Sequence, residues 1–424
     1  MKSRMLMFIT ALTVLAMLAV SFPLAAQDDK GQACYQVTNL GTLGGTWSTA
    51  DAISNNGWIS GVSALTGDNN FHAFLWTKRS GMTDLGTLGG PNSYVHFRGV
   101  NDRGLVAGVS DTSHSDPYNE NFCINDSSGM ICLGFLWQDG VMTPLRTLGG
   151  NNGWAGAVNN RGQVAGIAEN STKDPNCTPP QVFDWAGVIW GPRPGEMHEL
   201  LPLSGDAVGG PAAINDRGQA AGVSGPCTSP SPSAHAVLWQ KDGNPVDLGS
   251  LGGATGNMAF NINNRGQVVG VSDLAGDTTA HAFLWTEEKG MQDLGTLSGD
   301  VLSFALAINN LGQVVGQSVD ASGNGRAFLW TEENGMQDLN TQVCKGTSLY
   351  LINNFFGGIN DRGEIVGQAY DPNTGDAPAY LAVPTHGRVP WEAGPFAGQK
   401  VLLPENIRQQ SQKRHFGPFA VGVK

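Results

Sequence analysis

Several residue types recur at spacings that could do chemistry. Histidines 72, 235 and 281 each open an HA(F/V)LW segment, and imidazoles from separate segments could converge on a metal. A metal ring needs every position to supply a ligand, however, and Arg326 or a gap replaces the histidine elsewhere, so these histidines read as structural. Arg103, Arg161, Arg217, Arg265 and Arg362 all sit in NNRG or NDRG turns. Together they could form an anion-binding ring, but Asp102, Asp216 and Asp361 stand beside three of them and favour turn chemistry. Asp320, Ser322 and Asn324 in DASGNG have the oxygen spacing that opens a calcium loop. Thr331 stands where the closing carboxylate belongs, so calcium near Asp320 is the weaker reading beside a polar hairpin. GxSxG, HExxH, GxxxxGK[ST] and GxGxxG-helix signatures are missing, and no cofactor motif is present. Trp47, Tyr94, Trp154 and Tyr350 follow the LGG-type segments beside Asn and Ser. Aromatic rings next to short polar side chains suit a sugar or peptide, and these four are the candidate ligand-binding residues.

The elements that must position these residues come from a repeat. Three patterns recur seven times in fixed order: DLGTLGG-like from 39–45 to 338–344, INNRGQVVG-like from Ile53 to Ile359, and HAFLW-like from 72–76 to 378–382. The spacing is about 50 residues, in the range of propeller blades. Within 256–295, short β-branched or aromatic runs alternate with Asn/Gly turns, and no helical period persists. Each unit therefore reads as four antiparallel strands, a to d. The expected fold is an all-β, seven-bladed β-propeller over 35–384. YQVTNLG at 35–41 has the d pattern with no a, b or c before it, while 355–383 supply a, b and c. The N-terminal strand is thus expected to close the ring against 378–383, which removes an open sheet edge.

By strand direction, the NNRG turns and the c–d turns share one face. The other face carries the b–c loops, enlarged in units 2, 3 and 4 as DTSHSDPYNENFCINDSSGMIC, ENSTKDPNCTPPQVFDWA and SGPCTSPSPSA. Long loops on a rigid scaffold are where binding residues gather. Strand c also supplies Trp76, Trp137, Trp190, Trp239, Trp285 and Trp330, one per unit at one register, as packing between blades requires.

Residues 1–27 have a basic start, an apolar run from Met5 to Val20 and small residues before DDKGQ, the layout of a cleaved secretory signal. Export places the six cysteines in an oxidising compartment. Cys123 is expected to pair with Cys132 inside the unit 2 loop, and Cys177 with Cys227 between neighbouring units. Cys34 and Cys344 are left over, and the strand count puts them on opposite faces, against that pairing. The tail, 385–424, leaves the repeat and reads as irregular, with room for a short helix after Pro404.

The combined LGTLGG, INNRGQVVG and HAFLW patterns resemble the HAF-repeat family of extracellular proteins over about 350 residues. The resemblance implies export and repetition and supplies no catalytic residues. The chain departs from the family at PAYLA, at DLNTQVC and in the three enlarged units.

Composition narrows the function classes. Of 424 residues, 59 are glycine, 40% are apolar and 14% charged, and the net charge is −12. Such apolar content supports a packed core, and the acidic balance argues against a nucleic-acid partner. The favoured reading is an exported, monomeric, non-enzymatic binding or scaffold propeller whose long-loop face takes a glycan, peptide or protein, with no membrane span after signal cleavage. The alternatives are a propeller hydrolase or lyase acting on extracellular polysaccharide, or a structural envelope protein.

Overall fold

A computed structural model describes residues 34–120, 122, 128–227, 234–353, 357–385 and 394–412. The expected signal segment, Cys123 and part of the unit 4 loop lie outside the described residues. Among the described residues the chain is all-β except for one 3-10 turn, Leu339–Gln342, and one short helix, Glu405–Gln412.

Unit 1 shows the pattern. Strands Gly44–Ile53, Ile59–Leu65, Phe71–Thr77 and Gly81–Asp84 pair antiparallel in sequence order. Three further sheets repeat it, starting at Gly89, Met258 and Leu302. An eight-stranded sheet spans Gly149–Asp247. It consists of two four-strand halves, each with the same order, joined by one parallel pairing between Ala186 and Gly209. In the last sheet, Ile365–Tyr370 and Ala379–Pro384 carry the pairing, and the first strand is split into Tyr350–Leu351 and Gly358–Ile359.

The glycine in strand b has a steric reason. Strand a bulges by one residue in each regular unit, for example between Ala259 and Asn261 and between Ala305 and Ala307. The bulge pushes a carbonyl toward strand b. A Cβ at Gly270 would lie 1.9 Å from the Met258 carbonyl oxygen, and one at Gly316 equally close to that of Phe304. Any larger residue would force the two strands apart.

Strand c fills the space between sheets. Phe74, Phe135, Phe283 and Phe328 of the HAFLW segments are fully buried. Trp190 and Trp239 are buried, and their indole Nε1 atoms donate to the carbonyls of Arg146 and Leu201 in the connection before their own unit's strand a. The strand-c histidines have an internal partner. His72 lies 2.9 Å from Asp84, and His281 2.9 Å from Asp293, in strand d of their own sheets. Arg326 takes the same place and pairs with Asp338 at 3.0 Å. His235 turns instead to Asp206, 3.0 Å away.

The first strand, Tyr35–Gly41, pairs antiparallel with Ala379–Pro384 as the outer strand of the last sheet, from Tyr35 opposite Pro384 to Gly41 opposite Ala379. The last sheet also meets unit 1. Ser48 N donates to the Ala377 carbonyl and Ala377 N to that of Thr46, both at 3.0 Å.

One expectation is overturned here. Cys34 and Cys344 do form a disulfide. DLNTQVC is the decayed copy of the strand-d pattern, and after Asp338 the chain does not continue as a strand. Instead, the Asp338 carboxylate accepts from Asn340 N and caps the 3-10 turn Leu339–Gln342. The turn swings Val343 alongside Tyr35, and Cys344 N donates to the Tyr35 carbonyl at 2.9 Å. The expected Cys177–Cys227 bridge is present. Cys132 is disulfide-bonded, and its expected partner Cys123 is outside the described residues.

The tail is not wholly irregular. Leu403 and Ile407 are buried against Tyr350, Ile352 and Ala377, and a helix begins directly after Pro404.

Candidate ligand-binding face

The turn face is built from asparagine chemistry. In Asn-x-x-Gly turns such as 159–162, the first asparagine's Oδ1 accepts from the backbone N–H groups two and four residues on, here Arg161 and Gln163. Its Nδ2 donates across to the next unit, reaching the Asn215 carbonyl at 3.0 Å. Asn101, Asn215, Asn263, Asn309 and Asn360 do the same. Ser54 holds the equivalent position in unit 1 and is too short to reach across.

The second turn residue forms a closed belt. The backbone N–H of Asn55 donates to an Oδ1 of Asp102, Asp102 to Asn160, Asn160 to Asp216, and Asp216 to Asn264. The series continues to Asn310, Asp361 and back to Asn55, all at 2.6–2.9 Å. Burial works against the charge on Asp216. Hydrogen bonds from Asn160 and Asn264, with the Arg98 charge, outweigh it and hold the carboxyl below its ordinary range. The belt's amides and carboxylates are thus already engaged. The third-position arginines lie exposed at its rim, where Arg362 bonds the Asn55 carbonyl and Glu364.

The axis is closed by unit 2. Its strand a pairs up to Tyr94 opposite Val109 and resumes at Val100 opposite Val106. The equivalent unit 1 positions, Thr49 opposite Val62 and Ile53 opposite Ile59, are two residues closer together along strand a. His96, Phe97 and Arg98 therefore occupy the place of one bulge residue and loop inward. Phe97 has a left-handed backbone, φ 46°, a costly conformation for an aromatic residue. Its ring stacks on Phe260, 6.1 Å away across the axis, and meets Trp154 edge-on at 5.8 Å. Arg98 Nη1 donates to the Ile262 carbonyl at 3.0 Å. His96 lies 3.6 Å from Asp51, both buried. The plug divides the interior. A polar depression lined by Arg98, Asp102, Asn160 and Asp361 opens on the turn face, and a small apolar cup lined by Phe97, Trp154, Met258 and Phe260 lies beyond it.

On the long-loop face, the four expected aromatic residues fare differently. Trp47 is half-buried and packs on Phe71 at 6.0 Å, which leads to Tyr94 at 6.1 Å. Tyr94 and Trp154 are buried in the same cluster around the axis. Tyr350 is buried elsewhere, beneath the tail, with Phe396 edge-on at 5.5 Å. Three of the four thus act mainly as packing, and Trp47 retains open surface. Asp320 is not a vacant cation site. Its Oδ1 accepts from Ser322 N and Asn324 N, and Lys400 Nζ stands 3.8 Å from its Oδ2.

The most elaborate feature of this face is a rim that the motifs did not reveal. Strands Val106–Ser115 and Val164–Lys173 are ten residues long, against six or seven for strand b of most other units. Beyond them, Tyr118 meets Phe183 edge-on at 5.1 Å, and Lys173 Nζ sits 4.4 Å above the Tyr118 ring. Tyr118 is 40% exposed. The Cys177–Cys227 bridge and a bond from Thr178 N to the Cys227 carbonyl tie the unit 3 loop to unit 4. Asp184 lies beside that bridge, but the sulfurs are spent in the disulfide, so the trio is not a metal site.

Three buried carboxylates lie beneath the rim: Asp116, Glu120 and Glu169. Gln181 Nε2 donates to Glu120 at 3.3 Å and Glu169 at 2.9 Å, and Asn152 Nδ2 joins Asp116 to Glu169. Glu120 also accepts from Val182 N and Phe183 N. Burial, then the neighbouring Glu120 charge, pushes Glu169 up to about 7, against the bonds from Gln181 and Asn152. Burial raises Glu120 as well, with Asp116 adding to it and the two N–H groups and Lys173 opposing it. The available signals were the enlargement of these loops and the D-P dipeptide that the unit 2 and unit 3 loops carry, Asp116-Pro117 and Asp174-Pro175.

No protein-family model and no curated protein matches the chain. Among solved structures it is similar to Porphyromonas gingivalis dipeptidyl peptidase 4, with 12% identity and a TM-score of 0.33, covering 78% of this chain and 44% of that one. It is similar to Pyrococcus horikoshii acylaminoacyl peptidase, with 11% identity and a TM-score of 0.43, covering 76% and 50%. A mutant of the Aleuria aurantia lectin, solved with Fucα1-6GlcNAc, gives 9% identity and a TM-score of 0.27, covering 83% and 100%. The chain spans about half the length of the two peptidases.

Proposed function

We propose that this chain is an exported, seven-bladed propeller that works by binding, with the rim of blades 2 to 4 as its principal ligand surface. The blade count treats the halves of the eight-stranded sheet as separate blades, since a single residue pair joins them. Export fits the Cys34–Cys344 and Cys177–Cys227 bridges, which belong in an oxidising compartment. Among the described residues no helix is long and apolar enough to cross a membrane.

One observation carries the binding reading. The Tyr118–Lys173–Phe183 cluster stands on overhanging strands and beside a disulfide-pinned loop. An aromatic face with a cation poised over it, on a rigid support, can receive a glycan ring or an aromatic or acidic peptide side chain at small ordering cost. The test probes glycan and peptide arrays with mature protein and with Tyr118→Ala/Lys173→Ala. Array signals should be lost in the double variant while its melting temperature holds within about 2 °C. Equal signals from both proteins would reject the rim as the site.

A hydrolase reading has one specific observation behind it. Glu169 and Glu120 share the amide of Gln181, which keeps the bonded oxygens within about 6 Å. A carboxyl whose titration is raised, beside a second carboxyl, is the pairing that acid–base glycoside cleavage uses. Both are buried beneath the rim, so substrate would have to displace the loop at 174–182. Reducing-sugar release from uronic-acid or neutral polysaccharides, abolished in Glu169→Gln, would establish this reading over the first.

A further inference from the structure

The tail crosses the long-loop face in a way that differs from the rest of the chain. Residues 394–404 add no strand to any sheet. They are held by side-chain anchors and a few isolated backbone bonds. Phe396 meets Tyr350 edge-on. Lys400 Nζ donates to Asp300 Oδ1 at 2.9 Å and to the Gly299 carbonyl at 3.2 Å. Leu403 N donates to Asn324 Oδ1 at 3.1 Å, and its side chain is buried. Ile407, on the first turn of the helix, fills the same apolar pocket. Arg408 Nη1 reaches the Ser322 carbonyl.

The receptor side is held in place by groups that do not belong to the tail. Asp300 is fixed by Arg326, through Nε at 3.2 Å and Nη2 at 2.8 Å. Arg326 also holds Asp338. Asn324 is oriented by Asp320, which accepts from its N and Nδ2. Two carboxylates, those of Asp300 and Asp338, thus share a single guanidinium, and a third, Asp320, stands 3.8 Å from the Lys400 ammonium. The site has unbalanced negative charge, and the Lys400 ammonium is what meets it. A polar hook (Asn324), the Asp300 carboxylate and an apolar floor of Tyr350, Ile352 and Ala377 together make the surface of units 6 and 7 on which the tail is seated.

We propose that this surface is a peptide-binding site closed by the chain's own tail, and that its external partner is a peptide carrying an aromatic residue, a lysine four residues on, a leucine three after that and an aliphatic residue one helical turn further. The occupant is argued from the tail that sits there: Phe396, Lys400, Leu403 and Ile407 set that spacing. The tail adds no strand, so its release breaks no sheet pairing and is a local opening rather than global unfolding. A covalently tethered segment has a high effective concentration, so an external peptide must compete with it. The proposal rests on the long-loop face being the binding face, but it uses units 6 and 7 rather than the rim.

The test uses the full chain and a fluorescein-labelled synthetic peptide of residues 394–412, read by fluorescence anisotropy. The intact protein should bind the peptide at least tenfold more weakly than Phe396→Ala/Leu403→Asp, in which the tail is released. Asp300→Asn, added to that release variant, should weaken binding about tenfold, as should replacing the peptide's lysine by alanine. Tyr118→Ala/Lys173→Ala, added likewise, should change nothing, which separates this site from the rim. A folded release variant that does not bind the peptide overturns the proposal. If the release variant fails to fold, excess unlabelled peptide is added to the intact chain, and amide exchange of its own tail is followed by mass. Faster exchange supports displacement, and unchanged exchange overturns it.

Discussion

Replacing Asn215 by alanine tests whether the turn-face amides hold neighbouring units together. Asn215 is fully buried. Its Oδ1 accepts from Arg217 N and Gln219 N, both at 3.0 Å, and its Nδ2 donates to the Asn263 carbonyl at 3.0 Å and to Gln219 Oε1 at 2.9 Å. Alanine strands two backbone donors. Each orphaned, part-buried N–H costs about 1–3 kcal/mol. The Asn263 carbonyl keeps a second partner in Gly266 N, so its loss adds little. Asn215→Ala should therefore lose about 3 kcal/mol of unfolding free energy. Ser54 gives the comparison inside the same molecule. Its side chain accepts one bond, from Trp58 N at 3.1 Å, so Ser54→Ala should lose about 1 kcal/mol. Asn215→Asp separates the two roles, because it keeps both acceptor bonds within the turn and loses the donation to the next unit. Guanidinium unfolding followed by tryptophan fluorescence reads all three. An Asn215→Ala loss no larger than that of Ser54→Ala would refute the reasoning. It would mean that water or a relaxed turn satisfies those donors.

Other perturbations have equally definite outcomes. Ser54→Asn supplies the missing amide opposite the Asn101 carbonyl and should stabilise by about 1 kcal/mol; a loss would show that unit 1 cannot accept the longer side chain. Cys34→Ser/Cys344→Ser opens a loop spanning 310 residues, for which chain entropy gives up to ~5 kcal/mol; a change below about 1 kcal/mol in the unfolding free energy would show that the bridge does not constrain the unfolded chain. Glu169 rises from 4.5 to about 7 on folding, so its contribution is complete below pH 4.5 and is lost as pH rises toward 7, on the order of 3 kcal/mol in all. The wild-type stability curve should therefore fall relative to Glu169→Gln between pH 4.5 and 7, and parallel curves would contradict the raised value.

The repeat was legible because its signals are local. Turn asparagines, β-branched runs and the HAFLW aromatics act within a few residues, so strand order and the pairing of 35–41 with the last sheet could be read from phase. The belt was not legible, since each Asn-x-x-Gly reads as a turn and the cross-unit donation depends on how far apart the sheets stand. His96 to Arg98 look like ordinary strand residues in VHFRGV, and only the register reveals the two extra positions. The pairing of Cys34 with Cys344 was hidden because a 3-10 turn replaced a strand continuation. The aromatic residues after LGG read as ligand platforms from residue type, loop face and Asn/Ser neighbours. Tyr94, Trp154 and Tyr350 are buried, because a segment entering the inner strand at that point faces the axis or the tail. Tyr118, Asp116 and Glu120 lie in a loop without repeat counterparts, and Lys173 ends a strand longer than most of its counterparts, so comparing units could not single them out.

The Phe97 plug has a consequence for how a ring of similar units assembles. Near-identical sheets can dock in the wrong order or close with one too few or too many, because each interface looks much like the next. The Phe97–Phe260 stack joins units 2 and 5, which are not neighbours. It forms only when two intervening units are present on that side and the circumference is right. A smaller ring would drive the ring into its opposite wall, and a larger one would leave it in an unfilled hole, costing packing either way. The left-handed backbone at Phe97 is thus the local strain of an internal gauge, one that discriminates against miscounted rings as no interface between neighbours can.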